Sequence, residues 1–197
     1  MADTFLGPPG IDTLIRVDEA WTELAAHRRN LATGGVAATL AMALAATSVA
    51  SLFVCITLAL VGVAAGAAAV VDVHQRLIPN RLLSLSLLLI VVTAVLDSGA
   101  SLGMVLVSAI LASLPLWIVR YGHGLGIGDV KFAFVLGAAA GLVHPWAGLM
   151  TVWIASAVSG AFALMRHKQH LALGPWLWAG FVGGTAMGVL FVQVGLG

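Results

Sequence analysis

The sequence has very little charge and almost no cysteine. Of its 197 residues, 9% are charged and 61% are hydrophobic, whereas a soluble domain carries roughly 25% charged residues. This deficit excludes an ordinary soluble domain, and we expect no nucleic-acid partner. The single cysteine, Cys55, excludes an intrachain disulfide and a CxxC metal site. We therefore expect a chain whose main partner is the lipid bilayer and which needs no cofactor and no metal.

The apolar runs predict an all-α fold, a polytopic membrane bundle of about seven transmembrane helices. Residues 31–71 contain no charged side chain. A bilayer needs roughly 20 apolar residues per helix, so this run accommodates two spans, with a turn at 46–51. Five more spans are predicted at 82–96, 102–119, 131–143, 146–165 and 175–195. We take residues 31–197 as one transmembrane domain.

Residues 1–30 differ from the rest of the chain because they are charged. Apolar residues recur at helical spacing from 11 to 29, which predicts a short amphipathic helix on the membrane surface. A docking segment for a partner is the alternative. Acids such as Asp12 and Glu19 precede the first apolar run, so we expect no cleavable signal peptide. This part is predicted to be a cytoplasmic or interfacial segment.

The basic residues predict how the bundle is oriented. If seven spans start from a cytoplasmic N-terminus, all nine Lys and Arg residues fall on the cytoplasmic side. The opposite turns contain Asp97 and His144. Positive charge is retained in cytoplasmic loops, so we predict a cytoplasmic N-terminus and a C-terminus outside.

Glycines spaced four residues apart predict close helix packing. Such glycines share one helix face and let neighbouring backbones approach. Glycine-rich faces that simply contact lipid are the alternative. The pattern occurs at Gly62/Gly66, Gly137/Gly141 and Gly180/Gly184/Gly188.

Two acids, Asp72 and Asp129, fall at the cytoplasmic ends of predicted spans. Taken singly, Asp72 could be a polar helix end, and Asp129 could cap a helix that begins at Val130. Two close carboxylates in a partly dry site, however, cannot easily both ionise and would share a proton. One could then activate a water molecule while the other protonates the substrate. This chemistry would hydrolyse a peptide bond without a covalent intermediate.

The loops beside both acids carry turn-forming residues. After Asp72, Pro79 restrains the chain, and Asn80 is expected to cap the next helix. Before Asp129, Gly126 and Gly128 are expected to allow a tight turn and the approach of another backbone. The adjoining spans 82–96 and 131–143 are short, about 20 Å. If they stay short, both acids lie below the lipid surface, where a carboxylate indicates function.

These residues together resemble the signature motifs of the type IV prepilin peptidase family. Members of this family are GxGD-type intramembrane aspartic proteases. The matching segments are "DVHQRLIPN" (72–80) and "GIGDVK" (126–131), and "LGPWLWAG" (173–180) resembles a third family segment. The resemblance implies that Asp72 and Asp129 are the catalytic acids and that Gly126 and Gly128 shape the loop. Lys131 matches the lysine of the motif, although a membrane anchor is an equally good interpretation.

The resemblance also implies a function. Members of the family cleave the leader of type IV pilin, pseudopilin or Flp-type precursors at the cytoplasmic face of the prokaryotic inner membrane. The substrate's apolar helix would pack among the glycine-rich spans. Because this chain has one cysteine and no paired CxxC motifs, we expect a short, peptidase-only form without N-methyltransferase activity.

Two other interpretations stay open. His74 and His123 flank the acids and could complete a metal site, although no HExxH motif is present. The second interpretation is a non-catalytic protein, either a proton- or cation-coupled transporter or a pilus-assembly scaffold. Transporters hold their carboxylates near the midplane in broken helices, so acids at the cytoplasmic ends favour the peptidase. The particular substrate and the oligomeric state do not follow from the sequence.

Overall fold

The protein is a bundle of α-helices. A computed structural model describes residues 33, 35–75, 78–122, 125–166 and 173–195, and these form seven helices and no strand. The predicted all-α fold is confirmed; the amphipathic helix predicted at 11–29 lies outside the described residues, and the division near residue 30 stays a prediction. The helices are α1 (Gly35–Ala46), α2 (Leu52–Gln75), α3 (Asn80–Leu96), α4 (Leu102–Gly122), α5 (Ile127–Ala140), α6 (Ala147–Arg166) and α7 (Gly174–Gln193).

Four of these helices are long and apolar enough to cross a membrane. They are α2, α4, α6 and α7, whose apolar segments contain 19–21 residues. Helices α1 and α3 are apolar but shorter. Helix α5 has 14 residues and is therefore about 21 Å long. It begins at Ile127 and ends at Ala140, so it starts before the span predicted at 131–143.

Helix α5 lies at the centre of the bundle and contacts α2, α3, α4, α6 and α7. Nearly every side chain from Val130 to Ala140 is buried. A helix that is apolar on all sides is stable when protein surrounds it. Asp129, in the first turn of α5, is consequently held at the end of the central helix.

Glycines let the helices around α5 approach closely. A Cβ atom at Gly184 would lie 2.6 Å from the backbone nitrogen of Thr151 and 2.8 Å from the carbonyl oxygen of Ala147. A Cβ at Gly141 would lie 2.9 Å from the Cα of Val105. These distances exclude any side chain at either position, so the close packing predicted from glycine spacing is confirmed there, whereas a Cβ at Gly66 would make only an ordinary contact with Trp178.

Hydrogen bonds that are buried or partly buried connect different helices. The indole N–H of Trp178 in α7 donates to the Gly62 carbonyl in α2 at 3.0 Å. The Gly148 N–H donates to Ser108 Oγ at 3.0 Å, which joins α6 to α4. The hydroxyl groups of Thr57 and Thr93 are 2.7 Å apart between α2 and α3. Because buried polar groups need partners, these bonds fix how the helices align.

The two ends of the bundle differ in charge. We call the end where α2, α4 and α6 finish and α3, α5 and α7 start the acid end, because it carries Asp72 and Asp129. At the opposite end, the Gln193 amide donates to Ser48 Oγ at 2.9 Å, which connects α7 to the turn after α1. The acid end also has the described basic side chains Arg81, Arg120 and Lys131, and the opposite end has Asp97 and His144.

Replacing Gly184 by Ala should destabilise the protein by about 1–3 kcal/mol, because the new methyl group would press on the α6 backbone. The matched control is Gly160→Ala in α6, since a Cβ there meets nothing within 4 Å. That change should leave stability unchanged or raise it slightly. Thermal unfolding of both variants in detergent measures the difference. Equal Tm values would contradict the close α6–α7 packing.

Candidate active site

Asp72 lies near the end of α2 and is buried, with 6% of its surface exposed. Its Oδ2 atom accepts a hydrogen bond from the backbone N–H of Gly174 at 3.0 Å. Gly174 is the first residue of α7, and the first N–H groups of a helix have no partner within the helix. The Asp72 carboxylate therefore gives the first N–H group of α7 a hydrogen-bond partner, and the same bond fixes the position of the carboxylate.

Gly174 has no space for a side chain. A Cβ atom there would lie 2.7 Å from Asp72 Oδ2 and 3.1 Å from Asp72 Cβ. The sequence drew attention to "LGPWLWAG" (173–180) but did not give Gly174 a role. The available signal was a glycine directly before Pro175 at a predicted helix start, a place where Pro is favoured. Its contact with Asp72 depends on tertiary structure.

Asp129 is the third residue of α5, and Gly126 is the residue that caps this helix. The interpretation of Asp129 as the cap of a helix starting at Val130 is therefore wrong. Gly126 has extended backbone angles (φ −69°, ψ 146°), and its carbonyl accepts the Asp129 N–H at 3.2 Å. The Asp129 side chain is partly buried and precedes the apolar part of α5.

The two acids interact electrostatically although they come from different helices. Burial raises the pKa of Asp129 from its ordinary value of 3.8 to about 6, and the negative charge of Asp72 adds to this increase. A hydrogen bond from the Gly126 backbone acts in the opposite direction. Asp129 thus keeps its proton to a higher pH than an exposed aspartate, and Asp72 is one of the causes.

The two glycines before Asp129, Gly126 and Gly128, have backbone angles and space that would also accept a side chain. Gly126 has a negative φ that any residue adopts. A Cβ at Gly128 would contact only the Ile78 side chain, at 3.6 Å or more, and one at Gly126 would come no closer than 3.4 Å to Asp129. The turn itself therefore does not require glycine at either position, and the role of Gly126 and Gly128 in shaping the loop before Asp129 stays a prediction. Clearance for a substrate backbone stays a prediction.

Pro79 and Asn80 form the start of α3. Pro79 is the capping residue, with φ −66° and ψ 111°, and makes no side-chain cap bond. Its carbonyl accepts the Leu82 N–H at 3.1 Å. Asn80 is the first helical residue and is exposed. The prediction that Asn80 caps α3 is wrong, because the fixed φ of Pro79 starts the helix one residue earlier.

Lys131 lies on a different face of α5 from Asp129. It is exposed and forms no ion pair with any residue that the structure describes. Together with Asn80 it lines an open groove between α3, α4 and α5, which we call the side groove. Its wall includes Leu83, Leu87, Ser113, Trp117, Lys131 and Phe134.

The described residues do not provide a set of ligands for the metal interpretation. Within the described ranges, no cluster of three or more His, Cys, Asp or Glu residues could hold a metal ion. The His74 side chain and His123, on which that interpretation depends, lie outside those ranges.

Replacing Asp72 by Asn should lower the pKa of Asp129 below 6, because a negative neighbour is removed. The pKa should stay above 3.8, since burial persists. The Asn oxygen can still accept the Gly174 N–H, so the local geometry should be kept. Infrared titration of the carboxyl band measures this shift, with Asp97→Asn at the other end of the bundle as the control. An unchanged Asp129 pKa in Asp72→Asn would show that the two acids are not neighbours.

Comparison with known proteins identifies the family. Residues 59–165 match the type IV leader peptidase family, and this range includes Asp72 and Asp129. No curated protein and no solved structure matches the chain. Because the family match covers more than half of the 197 residues, this chain, a bundle of apolar membrane helices, belongs to the type IV leader peptidase family.

Proposed function

We propose that the protein is a membrane-embedded aspartic endopeptidase that removes the leader of prepilin-like precursors. The observation that carries the proposal is the pair of acids at one end of the bundle. Asp72 is buried against α7, and its charge raises the pKa of Asp129 in the central helix. In a family of leader peptidases, two coupled carboxylates provide the acid and the base that peptide hydrolysis requires.

The surroundings of the two acids suggest different roles. Asp72 accepts the Gly174 N–H, and such a donor suits an anionic oxygen. Asp129 has its pKa raised to about 6, so it keeps its proton in the mildly acidic range in which an exposed aspartate has lost it. We therefore assign Asp72 as the general base and Asp129 as the general acid.

Hydrolysis then proceeds in two balanced steps. Asp72 takes a proton from water, whose oxygen bonds to the scissile carbonyl carbon, while Asp129 gives its proton to the carbonyl oxygen. In the second step the C–N bond breaks as Asp72 returns its proton to the leaving nitrogen. One hydroxyl of the diol gives its proton to Asp129 as the new carboxyl group forms. Both acids return to their starting state, and no metal or cofactor takes part.

The charge distribution supports cleavage at the cytoplasmic face of a prokaryotic inner membrane. The described basic side chains Arg81, Arg120 and Lys131 lie at the acid end, and Asp97 lies at the other. Basic residues are retained in the cytoplasm, so the acids would face the leader before it crosses the membrane. In this orientation the N-terminus is cytoplasmic and the C-terminus is outside.

Two further parts of the proposal concern what the protein does not do. We propose a peptidase-only form, because the paired CxxC motifs expected for the methyltransferase are missing from these 197 residues. Both acids also lie near helix ends, whereas transporters hold their carboxylates in broken helices near the membrane midplane. Their position favours hydrolysis over transport.

Replacing either Asp72 or Asp129 by Asn should reduce cleavage of a prepilin-like precursor by at least ~10³-fold, because each change removes the proton acceptor or the proton donor. Cleavage is measured as the mobility shift of precursors from the same genome, co-expressed with each variant at matched levels. Asp97→Asn is the control and should process normally. Normal processing by either of the first two variants would refute the assignment.

Replacing Gly174 by Ala should lower kcat by at least ~10-fold with little change in KM, because the methyl group would displace the Asp72 carboxylate. Gly183→Ala in the same helix is the matched control, since its Cβ would meet only the Ile154 side chain, whose flexible Cδ1 end is the nearest atom at 3.1 Å. Gly174→Ala should also lower the Tm, so kcat is compared at a temperature at which both variants are fully folded. Equal kcat values would mean that Gly174 does not position Asp72.

A further inference from the structure

Trp178 lies where three helices meet, one turn after Gly174 in α7. Its indole N–H donates to the Gly62 carbonyl in α2 at 3.0 Å. Its six-membered ring lies against α1, because a Cβ at Gly35 would be 2.9 Å from the Trp178 Cη2 atom. The indole is therefore held between α1 and α2, and Gly35 cannot carry a side chain unless the ring moves.

Two glycines of α2 make this contact possible. A helical side chain leans over the turn that precedes it, so a side chain at position 66 would cover the Gly62 carbonyl. Gly66 has none, and a Cβ there would lie 3.5 Å from the indole Nε1 atom. A Cβ at Gly62 itself would collide with the Thr39 side chain of α1. Thr39 and Trp178 thus occupy this face of α2, and the expectation that the substrate's apolar helix packs among the glycine-rich spans is wrong here.

A second hydrogen bond between α7 and α2 lies one turn away from the first. It runs from the Gly174 N–H to Asp72 Oδ2 at 3.0 Å. Gly174 and Trp178 are four residues apart, so they lie on the same face of α7 and about 6 Å apart along its axis. A single helical turn moves as a unit. A shift of Trp178 along α2 would therefore carry the Gly174 N–H away from the carboxylate.

The bond from Gly174 to Asp72 tolerates little movement. A donor and an acceptor 3.6 Å apart no longer form a hydrogen bond, so a slide of α7 by less than ~1 Å would break it. Misplacement of a catalytic group by about 1 Å can lower a rate 100-fold. The contact that fixes the depth of α7 against α2 is consequently part of what holds the carboxylate in place.

A tryptophan near a helix end could instead anchor the helix at the membrane surface. An anchor directs its N–H towards lipid headgroups, whereas the Trp178 N–H bonds a backbone carbonyl within the protein. The Trp178 side chain is also partly buried, unlike Trp146, which is 52% exposed. These contacts favour a role inside the bundle.

We propose that Trp178 is a positioning residue for the two acids: by bonding α2, it holds the start of α7 at the depth at which the Gly174 N–H meets Asp72. This inference rests on the proposed function. Trp178 takes no part in the proton transfers and acts through Gly174. Trp178 and the Gly35 that packs on it both lie outside the family match at residues 59–165, so the inference extends the site beyond that match.

The first experiment observes the Gly174 amide and does not depend on cleavage. Benzothienylalanine, an isostere whose sulfur replaces the indole N–H, is placed at position 178 in protein with isotope-labelled glycine. The NMR signal of Gly174 is identified by its loss in Gly174→Ala. We expect this amide to exchange with solvent roughly three- to tenfold faster in the isostere, as the loss of one hydrogen bond implies. Thr57→Val removes the hydroxyl bond between α2 and α3; it is the control and should leave the exchange unchanged.

The second experiment measures kcat and KM for a prepilin-like precursor from the same genome, at a temperature at which every variant is folded. The isostere and Gly35→Ala should each lower kcat by roughly three- to tenfold with little change in KM, because both release the indole from α2. Gly66→Ala is the matched control, since its Cβ would make only an ordinary contact with the same ring. Gly66→Ala and Thr57→Val should cleave normally.

Combining the isostere with Gly174→Ala separates positioning from a general loss of stability. In Gly174→Ala the new methyl group already displaces the Asp72 carboxylate. If Trp178 acts through Gly174, adding the isostere should lower kcat by less than about twofold further. A residue that only stabilises the bundle would reduce kcat by the same factor in both backgrounds.

The outcomes separate this inference from the peptidase proposal. Unchanged exchange at Gly174 in the isostere, equal kcat values for Gly35→Ala and Gly66→Ala, or a loss that stays undiminished in the Gly174→Ala background would each overturn the positioning role. Faster exchange at Gly174 in the isostere, with no cleavage by the otherwise unchanged protein, would support the coupling of Trp178 to Gly174 and contradict the peptidase.

Discussion

The placement of a buried carboxylate, Asp72, near a partly buried one, Asp129, at one end of an apolar bundle is the constraint on which the rest of the structure depends. An ionised acid in a dry environment is costly unless it is paired or hydrogen-bonded. Asp72 meets this requirement through the Gly174 N–H at 3.0 Å. Asp129 meets it through a raised pKa and a hydrogen bond from the Gly126 backbone. Each acid is thus stabilised by the start of a helix, as the proton exchange that we propose for the pair requires.

The packing around α5 holds this site in place. Because α5 is buried on nearly every side and contacts five neighbouring helices, it cannot move as a whole without disturbing them. Close contacts at Gly141 and Gly184 leave the surrounding backbones little freedom, and the hydrogen bond from Trp178 to the Gly62 carbonyl joins α7 to α2. The same two helices bring Gly174 to Asp72. The contacts that pack these helices together therefore also set the position of the Asp72 carboxylate.

Much of the fold could be predicted because hydropathy and glycine spacing are local signals. The apolar runs predicted the helices within a few residues, and glycines four apart predicted the close faces. Helix starts were less reliable. Asn80 and Asp129 are common capping residues, yet Pro79 and Gly126 have those positions. Residue preference alone does not show which of several adjacent residues is the cap and which is already part of the helix.

The candidate site was predictable only as far as its motifs reach. The sequence indicated Asp72 and Asp129, but the contact between Gly174 and Asp72 joins residues from distant parts of the chain. Glycine spacing also suggested a place for a substrate helix, and the distances at Gly62 and Gly137 show those faces filled. A glycine-rich helix face that packs against the protein's own helices has the same sequence pattern as one that binds a separate helix. Only the three-dimensional arrangement distinguishes them.

The proximity of the two acids is tested most directly by joining them covalently. In a Cys55→Ala background, which removes the native thiol, Asp72→Cys and Asp129→Cys are combined and treated in membranes with a short bifunctional thiol reagent. The account predicts an intramolecular cross-link in this pair and none when Asp97→Cys replaces Asp72→Cys. Thiols that are both reactive but never joined in the first pair would contradict it.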